Sequence, residues 1–128
     1  MSSAKHILLV DDEPQIVRYL KKALEEAGYS VTAATSGKHA LASLRTPVPD
    51  LLILDLNMPP PDGFDLLKAV RTDLPYLRTL VISGYLDGAL LKAATLLGAV
   101  ATLEKPIVAE ALVAKVREML GEARKSAS

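Results

Sequence analysis

Residues Leu51–Gly63 read LLILDLNMPPPDG. Four aliphatic side chains in succession lead directly to an aspartate, Asp55, and three prolines follow within a short loop. A continuous apolar run of this length is what a strand buried on both faces requires. A carboxylate at the end of such a run sits against surroundings that disfavour its charge. The stretch therefore sets a fold question and a chemical one: what sheet holds it, and what compensates Asp55.

Working outward, apolar runs alternate with helical patterns five times. The expected strands are Ile7–Val10, Tyr29–Ala34, Leu51–Leu54, Leu80–Ile82 and Val100–Leu103. Pro14 suits a first helical turn, after which Ile16, Val17, Leu20, Ala23, Leu24 and Ala27 recur at helical spacing up to Gly28. Ser36-Gly37 opens a short helix expected to turn Ala40, Leu41 and Leu44 inward. Asp62 is the expected N-cap of a third helix carrying Phe64, Leu67 and Val70, with Gly63 in a tight turn. A fourth helix spans Ala89–Leu97, and a fifth starts near Val108 and buries Leu112, Val113, Val116 and Leu120. Strict alternation of strand and helix predicts a parallel sheet with helices on both faces. ILLV, LLIL and LVI are uninterrupted, whereas YSVTAA and VATL are diluted by Ser, Thr and Ala. Strands one, three and four are thus expected in the centre and two and five at the edges, the flavodoxin-like order 2-1-3-4-5 of a doubly wound α/β fold.

Composition narrows the function. The 128 residues suit one domain, expected over 1–121 with a polar tail or linker start over 122–128. Fifteen basic and fifteen acidic residues leave no net positive field to attract nucleic acid. The absence of cysteine removes disulfides, thiolate metal sites and a thiol nucleophile. No apolar run approaches the ~20 residues of a membrane span, and MSSAKH is too short and polar for a signal peptide. A cytoplasmic protein that does not itself bind nucleic acid or membrane is expected.

In an open α/β sheet, ligands bind beyond the carboxyl ends of the strands, where strand order reverses. The strands run out there into Asp11-Asp12-Glu13, Asp55, Ser83-Gly84 and Glu104-Lys105-Pro106. Three carboxylates, Asp11, Asp12 and Asp55, would meet at the reversal point and would need a proton or a cation to coexist. Hard oxygen ligands with room for water suit Mg²⁺, for which Mn²⁺ could substitute, better than a caged Ca²⁺. Lys105 adds a positive charge, Ser83 a hydroxyl, and Gly84 an open approach; with Mg²⁺ these are the parts that stabilise a phosphoryl group in transfer. A carboxylate beside them is a competent nucleophile. Taken singly, each group has a plainer reading: Asp11 or Asp12 as a cap for the first helix, Ser83 as a turn hydroxyl, Lys105 as a solvated lysine. His6 and His39 fall away from this rim and are expected to be exposed and idle.

From Lys5 to Leu120 the sequence resembles the receiver domain of bacterial two-component response regulators, through LLVDDEP, LLILDLNMPPPDG, LVISGY and LEKP in this order. The resemblance implies that Asp55 is the phosphoacceptor and that Asp11 and Asp12 form the acidic pair for Mg²⁺, Asp12 more directly and Asp11 mainly through water. It implies a metal ligand from the Asn57 backbone carbonyl, a switch hydroxyl at Ser83, phosphoryl contact by Lys105 and a cis Lys105–Pro106 bond. A histidine kinase or phosphotransfer protein would donate the phosphoryl group, and small donors and self-hydrolysis would be side activities rather than enzymatic turnover. Thr102 stands where receivers often carry Tyr or Phe, and Ile107 where they often carry Phe. Both lie between the phosphate and the face of helix four, strand five and helix five, the expected surface for an effector or a homodimer. Leu86, Leu90, Leu91, Leu96 and Leu97 make helix four unusually apolar, more than one helix face can bury.

Other readings are a degenerate receiver used only for binding, an aspartate-nucleophile phosphatase, and a flavodoxin-like FMN binder. The phosphatase typically needs a second Asp two residues after the nucleophile, where Asn57 stands. The FMN binder needs a phosphate loop after strand one, where Asp11-Asp12-Glu13 would repel phosphate.

Overall fold

The computed structural model describes residues 4–84 and 88–121. Five strands, β1 (His6–Val10), β2 (Ser30–Ala34), β3 (Leu51–Asp55), β4 (Arg78–Ser83) and β5 (Ala101–Glu104), form one parallel sheet in the order 2-1-3-4-5. They alternate with α1 (Pro14–Glu26), α2 (Gly37–Ser43), α3 (Gly63–Asp73), α4 (Gly88–Leu96) and α5 (Ala109–Leu120). This is the flavodoxin-like arrangement expected from the alternation. β3 is buried along its whole length, whereas β5 has no buried residue and β2 has one. The central and edge strands thus divide as their composition indicated.

The uninterrupted aliphatic runs are explained by the two-residue period of a strand. Ile7, Leu9, Leu51, Ile53, Leu80 and Ile82 pack on one face with Leu20 and Leu24 of α1 and Leu112 and Val116 of α5. Leu8, Val10, Leu52, Leu54 and Val81 pack on the other with Ala40 of α2, Leu66 and Val70 of α3 and Ala94 of α4. Each fully buried aliphatic side chain contributes about 1.5–3 kcal/mol, so the strand ends are held by the best-packed part of the molecule.

Several local expectations are corrected. Leu41 faces solvent, because Gly37, Ala40 and Leu44 already supply the inward stripe of so short a helix. β4 begins two residues before Leu80 and ends one after Ile82, with Thr79 buried in it. The surplus of leucines in α4 is exposed as its composition indicated, at Leu91 and Leu96, and Ala94 is its one buried residue; Leu86 lies outside the described residues, as does the tail 122–128. His6 is not idle: its ring nitrogens lie 3.2 Å from Ser30 Oγ and 3.1 Å from Thr32 Oγ1.

Two glycines shape the loop after β3. A Cβ on Gly63 would lie 2.5 Å from Leu56 Cα and 2.7 Å from the Asp55 carbonyl oxygen. A Cβ on Gly37 would lie 1.9 Å from the Pro61 carbonyl oxygen. The loop is therefore clasped between the starts of α2 and α3. Asp62 caps α3 as the sequence indicated, in a reciprocal capping box with Asp65.

Candidate phosphoacceptor site

Strand register brings the rim together. Val10 pairs with Leu54, Asp55 with Ile82 and Ser83 with Glu104, so Asp11, Asp55, Ser83 and Lys105 leave the sheet at one level. Asp11 and Ser83 are fully buried and Asp55 almost so. One carboxylate oxygen from each of Asp11, Asp12 and Asp55 lies within 4.8 Å of the others. Neither Asp11 nor Asp12 caps α1: the N-cap is Glu13, with no side-chain cap bond, and Asp11 Oδ1 accepts from the Glu13 N–H at 3.0 Å.

Lys105 is the counter-charge. Its Nζ donates to Asp55 Oδ2 at 3.1 Å and to Glu13 Oε1 at 2.9 Å. It also lies 2.9 Å from Asp11 Oδ2, an ion-pair distance, and among the described residues that buried oxygen has no well-directed hydrogen bond. Burial pushes the Asp55 carboxyl above the usual aspartate range, and the negative Asp11 adds to this; the Asn57 N–H and the Lys105 ammonium oppose it without prevailing. Burial works against the charge on Lys105, yet its contacts with Asp11, Glu13 and Asp55 hold it above the ordinary lysine range. The lysine thus stays charged beside a carboxylate that remains undercompensated.

Four residues close a circuit around that carboxylate. Asp55 Oδ1 accepts from the Asn57 N–H at 3.0 Å, and Asn57 Nδ2 donates to Ser83 Oγ at 3.1 Å. The Ser83 carbonyl accepts from the Lys105 N–H at 2.8 Å, and Lys105 Nζ returns to Asp55. Gly84 is exposed, and among the described residues a Cβ there would meet only the Lys105 stem, at 4.0 Å. The Lys105–Pro106 bond is cis. Thr102 sits inside β5, half-buried opposite Val81 and three residues short of Lys105.

Two contributions escaped sequence reasoning. Glu13, one of the polar residues at the end of β1, is a third carboxylate on Lys105. Asn57 was assigned only a backbone carbonyl, but its side chain reaches Ser83; the signal lay in the β3–β4 register, which a single sequence does not display.

The description "response regulator receiver domain" belongs to a family model that matches residues 7–117. The transcriptional regulatory protein TrcR of Mycobacterium tuberculosis is 36% identical over 115 residues, 89% of this chain and 44% of its own length. The acid tolerance regulatory protein ActR of Rhizobium meliloti is 32% identical over 118 residues, 92% of this chain and 61% of its own. The chain spans less than two thirds of the length of these curated relatives. Among solved structures, a CheY-like receiver domain protein from Methanospirillum hungatei superposes with a TM-score of 0.89 at 30% identity, covering 94% of this chain and 96% of that one. A response regulator from Chloroflexus aurantiacus gives 0.86 at 33%, covering 93% and 99%. With the family matched over 7–117 and the fold shared throughout, the chain belongs to the response regulator receiver domains of two-component systems.

Proposed function

We propose that this receiver domain is a phosphorylation-dependent switch in which Asp55 accepts a phosphoryl group from a histidine kinase or phosphotransfer protein. One observation carries the reading: a buried, undercompensated carboxylate has an ammonium 3.1 Å away, with a second and third carboxylate within 4.8 Å. In the transfer, an Asp55 oxygen bonds to phosphorus as the bond from phosphorus to the donor nitrogen breaks. Lys105 meets charge on the phosphoryl oxygens, Ser83 offers its hydroxyl, and Gly84 leaves the approach open.

The residues fit Mg²⁺ or Mn²⁺. All the side-chain donors are hard oxygens, and among the described residues the buried Asp11 Oδ2 has no well-directed hydrogen bond. Asp11, Asp12, Asp55 and the Asn57 carbonyl would hold the ion. Bound there, it supplies positive charge to the phosphoryl oxygens.

Receiver domains are signalling domains, and they pair with histidine kinases and effector domains. In this chain the receiver would occupy 1–121 of a cytoplasmic protein, with 122–128 as a tail or linker start. Leu91 and Leu96 of α4, Val100 before β5 and Val108 before α5 are exposed apolar side chains, which supports contact in this part of the domain with an effector or a second copy. Thr102 lies on that path and Pro106 at its start, and both belong to the proposed switch.

Acetyl phosphate with Mg²⁺ should add one phosphoryl group to the wild-type chain, read by intact mass, and none to Asp55→Asn. An adduct of equal yield in Asp55→Asn would refute the assignment.

A further inference from the structure

We propose that Glu13 is a brake on phosphoryl transfer, a positioning residue that shares the Lys105 ammonium until a phosphoryl oxygen replaces it; the proposal rests on Asp55 being the acceptor. Glu13 is the N-cap of α1, yet its side chain makes no cap bond. It reaches instead across the rim to Lys105, 92 residues away, and accepts from Nζ at 2.9 Å. Asp11 and Asp55 lie 2.9 and 3.1 Å from the same nitrogen. An ammonium has three protons to donate and accepts none, so three carboxylates already match all that it can offer. A phosphoryl group arriving at Asp55 brings acceptor oxygens that need the same ammonium, and one carboxylate contact must give way.

Exposure decides which one. The Asp11 and Asp55 side chains are 0% and 3% exposed, whereas that of Glu13 is 57% exposed. Withdrawing the ammonium from either buried carboxylate would leave an uncompensated charge out of water. Glu13 can return to solvent, and an exposed ion pair is worth little. Glu13 Oε1 thus holds on Lys105 the place that a phosphoryl oxygen takes during transfer. Its contact stabilises the resting site and is absent from the transition state, so it adds to the barrier. Glu13 takes no part in the bond changes. With acetyl phosphate, an Asp55 oxygen bonds to phosphorus, the acyl oxygen–phosphorus bond breaks, and acetate leaves with the electron pair.

Adduct formation from acetyl phosphate at saturating Mg²⁺, followed by intact mass in the full chain, tests the proposal. Glu13→Gln removes the charge and keeps the size of the side chain. It should speed transfer about two- to fivefold, the span of one exposed ion pair. Glu104→Gln controls for simple repulsion of an anionic donor. Glu104 is exposed at the end of β5, opposite Ser83, and is not one of the three carboxylates on Lys105. Its substitution should change the rate by less than Glu13→Gln does. An unchanged or slower rate in Glu13→Gln, or an equal or larger gain from Glu104→Gln, overturns the proposal while leaving Asp55 as acceptor. No adduct in wild type overturns the proposed function and the brake with it. A metal-free readout stands beside the rates. In EDTA, Glu13→Gln should shift the Lys105 Cε and Hε resonances, and resonances unmoved by that substitution would also overturn the proposal.

Discussion

Replacing Lys105 by Met removes the ammonium and keeps most of the buried stem. The ammonium lies 2.9 Å from Asp11 Oδ2 and 3.1 Å from Asp55 Oδ2. At an effective dielectric of 20, each contact is worth about 5 kcal/mol in gross Coulomb terms, most of it offsetting desolvation already incurred. Deleting one partner of a buried pair costs about 3–5 kcal/mol, because the other charge stays behind uncompensated. Glu13 is exposed and adds nothing to this. Because Lys105 retains some solvent contact, the low end applies: a loss of about 3 kcal/mol at pH 7 in EDTA, or roughly 12 °C in Tm for a domain of this size. The raised pKa of Lys105 means that its stabilisation is fully present below the ordinary lysine pKa of 10.5 and is lost only as pH rises through the folded-state value. In acid, the lysine keeps its charge, and Asp55, whose carboxyl is raised by burial, loses its own. The penalty of the substitution should therefore shrink as pH falls from 7 toward 4. Mg²⁺ should restore part of it at pH 7, stabilising the variant more than wild type. Thermal unfolding at pH 7 and pH 4, with EDTA or excess Mg²⁺, checks all three. A drop of under about 4 °C at pH 7, or a drop equal at both pH values, would refute the electrostatic account of the site.

Asp55→Asn should make the metal-free protein more stable than wild type at pH 7. The native carboxyl is raised above its unfolded value, so the wild type loses stability as pH rises through that folded pKa, and the gap should close in acid; chemical denaturation at pH 7 and pH 4 measures it. Asp12→Ala should weaken Mg²⁺ binding by tenfold or more, about 1.4 kcal/mol, while unfolding in EDTA changes little; calorimetric titration with equal affinities would remove Asp12 from the ligand set. Gly63→Ala should cost about 3 kcal/mol, because its Cβ meets backbone at 2.5 Å, while Gly88→Ala, with no described residue within 4 Å of the added Cβ, should leave the urea midpoint nearly unchanged.

What the sequence displayed was whatever depends on period and chain order. LLIL and ILLV announce strands covered on both faces, the diluted YSVTAA and VATL announce edges, and strand-end placement brings Asp11, Asp55, Ser83 and Lys105 to one rim. Asp62 was legible as a cap because capping is local chemistry. What stayed hidden depends on register and on competition for a face. Leu41 is as apolar as Leu44 but loses the inward stripe to Ala40. His6 looked idle because its partners, Ser30 and Thr32, lie on a different strand. Glu13 and the Asn57 side chain reach across the rim to partners 92 and 26 residues away, distances over which a single sequence carries no pairing signal.

The attachment of α4 has a consequence of its own. Ala94 is its one buried residue, and near its end the Arg71 guanidinium donates to the Leu96 carbonyl. A helix with a single fully buried residue has less to surrender when it shifts than one with a buried stripe. Its amides should exchange with deuterium well before those of α1, which buries Val17, Leu20 and Leu24. The sheet can then stay rigid at the phosphoacceptor while this one helix shifts over it, so rigidity and responsiveness are divided between different parts of a small domain.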